Sequence, residues 1–201
     1  MFHIVTLDLE GVLVPEIWIE FATRTGIDEL RLTTRDIPNY DELMTHRLKI
    51  LDQRGLTLKD IQDVIQTIKP FEGALDFLNW LRVRTQVVIL SDTFKQFAGP
   101  LMAQLGYPTI LCNSLEVNDQ GVLTGWQMRQ PDGKRRAVES FHNMGLKVYA
   151  SGDSYNDLGM LTHADKGWFF RPPASIVEKH PTIPVVQTYQ ELQKELDPFL
   201  I

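Results

Sequence analysis

Two carboxylates one residue apart, Asp8 and Glu10, close the short apolar run Ile4-Val5-Thr6-Leu7 and are followed at once by Gly11. Side chains alternate along a strand, so positions i and i+2 at its end aim two negative groups into one crevice. Carboxylates that close repel each other unless a cation lies between them or one keeps its proton. Taken alone, the pair is also what a solvated loop after a strand looks like. Residues downstream decide between the two. Ser91 and Asp92 follow a second strand-like run, Asp153 and Asp157 follow a third, and Lys134 opens a helical stretch between them. Hard oxygen donors without a cysteine or histidine cluster suit Mg²⁺, which takes carboxylates, phosphate oxygens and water. A lysine and a serine nearby suit a phosphoryl group, one as a point charge and the other as a hydroxyl donor. The combined chemistry is phosphoryl transfer.

These groups meet only if the elements that carry them end at one edge of one sheet. Residues 4–7 read as a strand buried on both faces. From about Pro15 to Pro70 the apolar spacing becomes helical, through Trp18, Phe21 and Ala22 and again through Leu43, Met44, Leu48 and Leu51. Gly26 breaks the first helix, Pro38 separates a middle piece, and Gly55 stops the helix that carries Arg47. Thr57, with Asp60 three residues on, caps a helix through Ile68. No second strand appears before residues 86–90, so this block is too long for a simple crossover. It reads as a helical cap of residues 15–70, inserted after the first strand into a core domain of residues 1–14 and 71–201.

The core then alternates: a helix over 74–81, a strand over 87–90, a helix over 94–105, a β-hairpin around Asn118-Asp119-Gln120-Gly121, a helix over 134–144 and a strand over 147–150. The loop Gly152-Asp153-Ser154-Tyr155-Asn156-Asp157 follows, and the alternation continues to a last helix from Tyr189. The predicted class is α/β, a Rossmann-like, mainly parallel sheet with helices on both faces. Such sheets keep their sites at the C-terminal strand ends.

Composition narrows the classes. The 201 residues, 43% hydrophobic and 23% charged, describe a globular chain with a sizeable core. A net charge of -6 argues against a general nucleic-acid binder. No apolar run has the length of a membrane span, and the start lacks a secretory pattern, so a cytoplasmic protein is expected. Cys112 is the single cysteine, which excludes an internal disulfide. The five histidines are scattered, with no pair at ligand spacing.

In order and spacing, the motifs resemble the haloacid dehalogenase superfamily of phosphotransferases: Asp8 and Glu10 for the first, Ser91 for the second, Lys134 for the third, and Gly152-Asp153 through Asp157 for the fourth. The resemblance implies that Asp8 attacks phosphorus to give an aspartyl-phosphate, while Glu10 protonates the departing oxygen and later deprotonates the acceptor. It implies Mg²⁺ held by Asp8, Asp153 and the backbone carbonyl of Glu10, with Ser91 and Lys134 on the phosphoryl group. Asp157 is expected to steady a ligand or Lys134 from behind. Glu10 stands where the family usually has aspartate, and Val12 where threonine is frequent; neither change removes the mechanism.

The helical cap resembles that of the phosphoserine phosphatases. Glu16 matches their amine-binding glutamate and Arg47 their carboxylate-clamping arginine, as a phosphorylated amino acid with both an ammonium and a carboxylate demands. Read without the resemblance, Glu16 is a first-turn acid near a helix N-terminus and Arg47 one of several exposed arginines. The opening from Asp8 to Ile19, with Ser91-Asp92-Thr93 and the Gly152 loop, is similar to a bacterial subgroup that also passes the phosphoryl group to homoserine. In that subgroup Asp92 and Asn156 would line the amino-acid pocket. Two other readings compete: a phosphatase for another small ester such as a phosphosugar or nucleotide, and a non-catalytic phosphoaspartate switch. The Asp-x-Glu pair speaks against the switch, which has no need of a leaving-group acid.

Overall fold

The structure is a computed structural model and describes residues 2–33, 36–37 and 39–200. Seven strands form one sheet in the order β4-β3-β2-β1-β5-β6-β7: β1 (His3–Leu7), β2 (Gln86–Phe94), β3 (Thr109–Val117), β4 (Leu123–Gln127), β5 (Lys147–Gly152), β6 (Lys166–Phe170) and β7 (Val185–Val186). All neighbours pair in parallel except β3 and β4. Residue alternation sends Val5, Leu7, Ile89 and Tyr149 into one apolar layer and Ile4, Val88, Leu90 and Val148 into the other. Helices α4 (Ala74–Arg82), α5 (Lys95–Gln104) and α9 (Tyr189–Leu196) supply the first layer through Phe77, Phe97 and Leu192. Helices α6 (Gly133–Asn143), α7 (Leu158–His163) and α8 (Ala174–Lys179) supply the second through Val138, Met160 and Ile176. This is the α/β architecture with helices on both faces that the alternation predicts.

Between β1 and α4 the chain makes α1 (Ile17–Thr25), a 3₁₀ turn (Asp28–Arg31), α2 (Tyr40–Gln53) and α3 (Leu58–Ile65). Gly26 ends α1 at a φ of 69°, a left-handed position. The Asn39 side chain opens α2 by accepting the N–H groups of Asp41 and Glu42, and Thr57 with Asp60 forms a capping box on α3. Phe21, Met44 and Ile61 from these helices join the same apolar layer as Leu7 and Phe77. The helical block is therefore welded to the sheet through one continuous core. Pro38, expected to divide that block, lies outside the described residues.

Three boundaries differ from expectation. Helix α3 stops at Ile65 rather than Ile68, because Thr67 and Ile68 donate to the carbonyls of Val64 and Ile65 in tight turns ahead of Pro70. Strand β2 continues past Leu90 to Phe94 through an irregular register. The expected hairpin is the outer end of a longer strand: the first half of β3 pairs in parallel with β2, and only Ser114 onward pairs antiparallel with β4. Among the described residues no helix is long and apolar enough to cross a membrane.

Candidate active site

Register builds the site. Leu7 pairs with Ile89 on one side and Ser151 on the other, so the chain leaves β1, β2 and β5 at one edge, carrying Asp8, Ser91 and Asp153. The Asp8 N–H donates to the Ser151 carbonyl at 3.0 Å, extending the pairing by one bond. Two glycines let the acids approach. At Gly11 (φ 76°) a Cβ would collide with the Asp153 carboxylate, and at Gly152 with that of Asp157.

The floor is a charged knot out of water. Lys134 Nζ lies 3.0 Å from Asp8 Oδ1 and 2.7 Å from Asp157 Oδ1, all three residues being buried. Asp157 Oδ2 accepts the backbone N–H groups of Asp153 and Ser154 at 2.9 and 3.0 Å, so both of its oxygens are engaged. Asp8 Oδ1 also accepts from the Leu9 N–H at 2.7 Å. Burial pushes the Asp8 carboxyl well above its usual range; Asp157 and Asp153 add to the rise and Lys134 opposes it. Burial alone would lower the Lys134 pKa, but Asp157 and Asp8 raise it well above normal. Three carboxylates face one ammonium, and Asp8, Asp153 and Asp157 each bring an oxygen within 4.8 Å of the others. This set of hard oxygen donors fits a metal ion that prefers oxygen.

Above the floor opens a cavity of about 480 Å³, lined by Asp8, Glu10, Glu16, Arg47, Ser91, Asp92, Asp153 and Asn156 among others. Lys134 and Asp157 lie beneath it. The Glu10 carboxyl turns away from the acid knot: its Oε2 accepts the Ile17 N–H at 2.9 Å, at the start of α1. Burial, helped by the neighbouring Glu16 carboxylate, pushes Glu10 up to about 8. Glu16 also hydrogen-bonds Glu10, which favours a proton between the two acids. Arg47 is buried in the facing wall, lowered to about 10 by desolvation. Its Nη2 donates to the Leu32 carbonyl at 2.8 Å, whereas its Nε has no partner among the described residues. The rim is closed by Asn156 Nδ2 donating to Asp92 Oδ2 at 3.0 Å.

All ten residues singled out from the sequence thus gather at one edge. The Ser91 Oγ accepts the Thr93 N–H at 3.2 Å, which leaves its own hydrogen to donate, and the following helix opens at Lys95. Arg47 is a buried wall residue rather than an exposed arginine. Sequence reasoning missed Tyr40, which lines the cavity beside Arg47; Trp18, an aromatic near Glu16 that could pack the cap or wall off the pocket, lines the cavity and carries the Arg47 guanidinium on its ring. The signal available for Tyr40 was its i, i+7 spacing from Arg47, which puts both on one helix face.

The chain is similar to known proteins along nearly its whole length. The phosphoserine phosphatase ThrH of Pseudomonas aeruginosa is 56% identical over 193 residues, covering 96% of this chain and 94% of the relative. A phosphoserine phosphatase of Pseudomonas syringae pv. tomato is 55% identical over 96% of this chain and 81% of its own. A crystal structure of phosphoserine phosphatase in apo form superposes with a TM-score of 0.78 at 22% identity, covering 98% of both chains, a likeness of fold. The model of the haloacid dehalogenase-like hydrolases matches residues 6–162, which run from β1 to the last residues of α7 and take in every motif named above. With that span and those identities, the chain belongs to the haloacid dehalogenase-like hydrolase family.

Proposed function

We propose that the chain is a Mg²⁺-dependent phosphoserine phosphatase that works through an aspartyl-phosphate and also passes the phosphoryl group to homoserine. The observation that carries this reading is one cavity with the Asp8 carboxylate on its floor and, in its wall, a buried guanidinium whose Nε lacks a partner. A small ligand with a phosphoryl group at one end and a carboxylate at the other suits both. Glu16, next to Glu10, offers the negative charge that the ligand's ammonium requires. The 56% identity to a protein named phosphoserine phosphatase supports the same substrate over a phosphosugar or nucleotide. In this reading residues 15–70 act as the cap over a core of residues 1–14 and 71–201, in a cytoplasmic enzyme.

Mg²⁺, held by Asp8, Asp153 and the backbone carbonyl of Glu10, would neutralise charge between an anionic ester and its carboxylate nucleophile. Asp8 attacks phosphorus as the bond from phosphorus to the serine oxygen breaks, and the Glu10 proton passes to that oxygen. Lys134 balances the charge of Asp8, and Asp157 fixes Lys134 in place while bracing the Asp153 loop. Ser91 donates its hydroxyl to a phosphoryl oxygen. In the return step water, or the homoserine hydroxyl, gives its proton to Glu10 and attacks phosphorus, and the bond to Asp8 breaks. Asp92 and Asn156 border the space of the amino-acid acceptor.

A panel of phosphoesters assayed with Mg²⁺ tests the reading. Selectivity for phosphoserine is expected; broad or sugar-selective turnover overturns the substrate, and none at all favours a switch. Radiolabelled phosphoserine with homoserine is expected to yield phosphohomoserine beside inorganic phosphate. Phosphate alone would remove the transferase half.

A further inference from the structure

Tyr40 is the first residue of α2, held in place by the Asn39 cap immediately before it and by packing of its ring against the main core. Arg47 lies seven residues on, two turns along the same face, and both line the cavity. The hydroxyl of Tyr40 makes no hydrogen bond among the described residues, although Asp92, Arg47 and Glu10 are the charged groups it faces across the cavity. Asp41, on its own helix, is the other charge it senses. The residue is partly buried and lines the open cavity, so its hydroxyl is a donor available to whatever occupies that space, which a phenylalanine of the same shape would not offer. The hydroxyl therefore points to a ligand.

The charges around it indicate which part of the ligand. Glu10, Glu16 and Asp92 are acids on the cavity wall, and Arg47 is the one cation among the described residues that line it. A carboxylate arriving there meets one guanidinium against several carboxyl groups. A second cation would offset that imbalance but would also draw the phosphoryl group to the wrong end. A neutral O–H adds a donor without adding charge. Burial raises the phenol's pKa, so it stays a neutral donor across the working range.

We propose that Tyr40 is a specificity-determining residue whose hydroxyl donates a hydrogen bond to the carboxylate of the bound phosphoamino acid, beside Arg47. This rests on the phosphoserine reading above. One helix face would then read the carboxylate with two groups, a charged fork and a neutral donor.

The test compares the wild-type enzyme with Tyr40→Phe on phosphoserine and on O-phosphoethanolamine, which keeps the phosphoryl group and the ammonium and lacks the carboxylate. For phosphoserine the variant is expected to lose about tenfold in kcat/KM, through KM, with kcat within about twofold. For O-phosphoethanolamine its kcat/KM is expected to stay within about twofold of wild type, which also shows that the variant is folded. An equal loss on both substrates would make the hydroxyl structural, and no loss on either would make it idle; each result overturns the proposal. Failure of the parent reading shows separately, in the wild-type arm: an enzyme indifferent to the carboxylate handles both esters equally, and the proposal falls with it.

Discussion

The guanidinium carbon of Arg47 lies over the Trp18 ring, 4.4 Å from its centroid, so that a residue of α1 supports the cation of α2. Trp18 is in turn held edge-on by Phe97 of α5 at 5.4 Å, which links the guanidinium to the core. If Arg47 binds the carboxylate, Arg47→Ala removes a buried charged partner and raises KM for phosphoserine on the order of a hundredfold, with kcat little changed. Trp18→Leu removes a cation–π contact of about 0.5–2 kcal/mol and raises KM by about two- to thirtyfold. Steady-state kinetics checks both; an unchanged KM in Arg47→Ala would contradict the clamp.

The Glu10 carboxyl titrates at about 8 rather than 4.5 because it is buried beside Glu16. At neutral pH it holds its proton and is ready as an acid. The folded chain therefore binds a proton that the unfolded chain has released, over the window between those values. The stability this confers is full below pH 4.5 and is lost as pH rises through about 8. The Tm of metal-free protein is expected to fall between about pH 4.5 and 8 and to level off above, and Glu10→Gln to flatten that fall. Equal slopes in the two proteins would reassign the proton.

The strand ends were readable because each bears a local signature: Asp8 after Ile4-Val5-Thr6-Leu7, Ser91 after Val87-Val88-Ile89-Leu90, Asp153 after a β-run and a glycine. What could not be read depends on contacts distant in sequence. Thr109-Ile110-Leu111-Cys112-Asn113 is a strand because β2 offers it an edge, not because its residues alternate. Arg47 resembles any helical arginine until Trp18 and the Leu32 carbonyl enclose it. Tyr40, an aromatic at a helix start, carries no mark of a polar role until the cavity forms around its hydroxyl. The carboxyl of Glu10 was expected beside Asp8, and the fold anchors it on the cap side through the Ile17 N–H, a contact no local pattern announces.

If Asp8 is the nucleophile, Asp8→Asn keeps the shape of the side chain but replaces its carboxylate with an amide that is a poor nucleophile. Turnover of phosphoserine is expected to fall below detection, and trapping with radiolabelled substrate to leave no phosphate on the protein. A labelled variant would move the nucleophile elsewhere.

Lys134 lies between Asp8 and Asp157 at 3.0 and 2.7 Å with almost no exposure. Lys134→Met keeps the length and apolar stem but strands two buried carboxylates. Removing one partner of a buried ion pair costs about 3–5 kcal/mol, far above the range of an exposed pair. Thermal unfolding of the metal-free variant is expected to show a Tm roughly 10 °C lower than wild type. Lys59→Met, which breaks an exposed pair with Asp63 on α3, is the control and should shift Tm by little.

The acid knot also makes a prediction that does not depend on turnover. Asp8, Asp153 and Asp157 crowd together with one lysine among them, so a divalent ion that binds there stabilises the folded state and finds no such set in the unfolded chain. At a hundred times its Kd, the ion adds about 2.7 kcal/mol, on the order of 5–10 °C in Tm for a chain of this size. Asp157 has both oxygens engaged by Lys134 and by backbone N–H groups, and the ligands proposed for the ion are the carboxylates of Asp8 and Asp153. Titrating Mg²⁺ into chelator-treated protein is expected to raise Tm in the wild type and to lose most of that effect in Asp153→Asn. Calorimetry of the same titration gives the affinity directly. Equal shifts in the two proteins would place the ion outside the acid knot, and with it the argument that Asp8 needs a cation to meet an anionic ester.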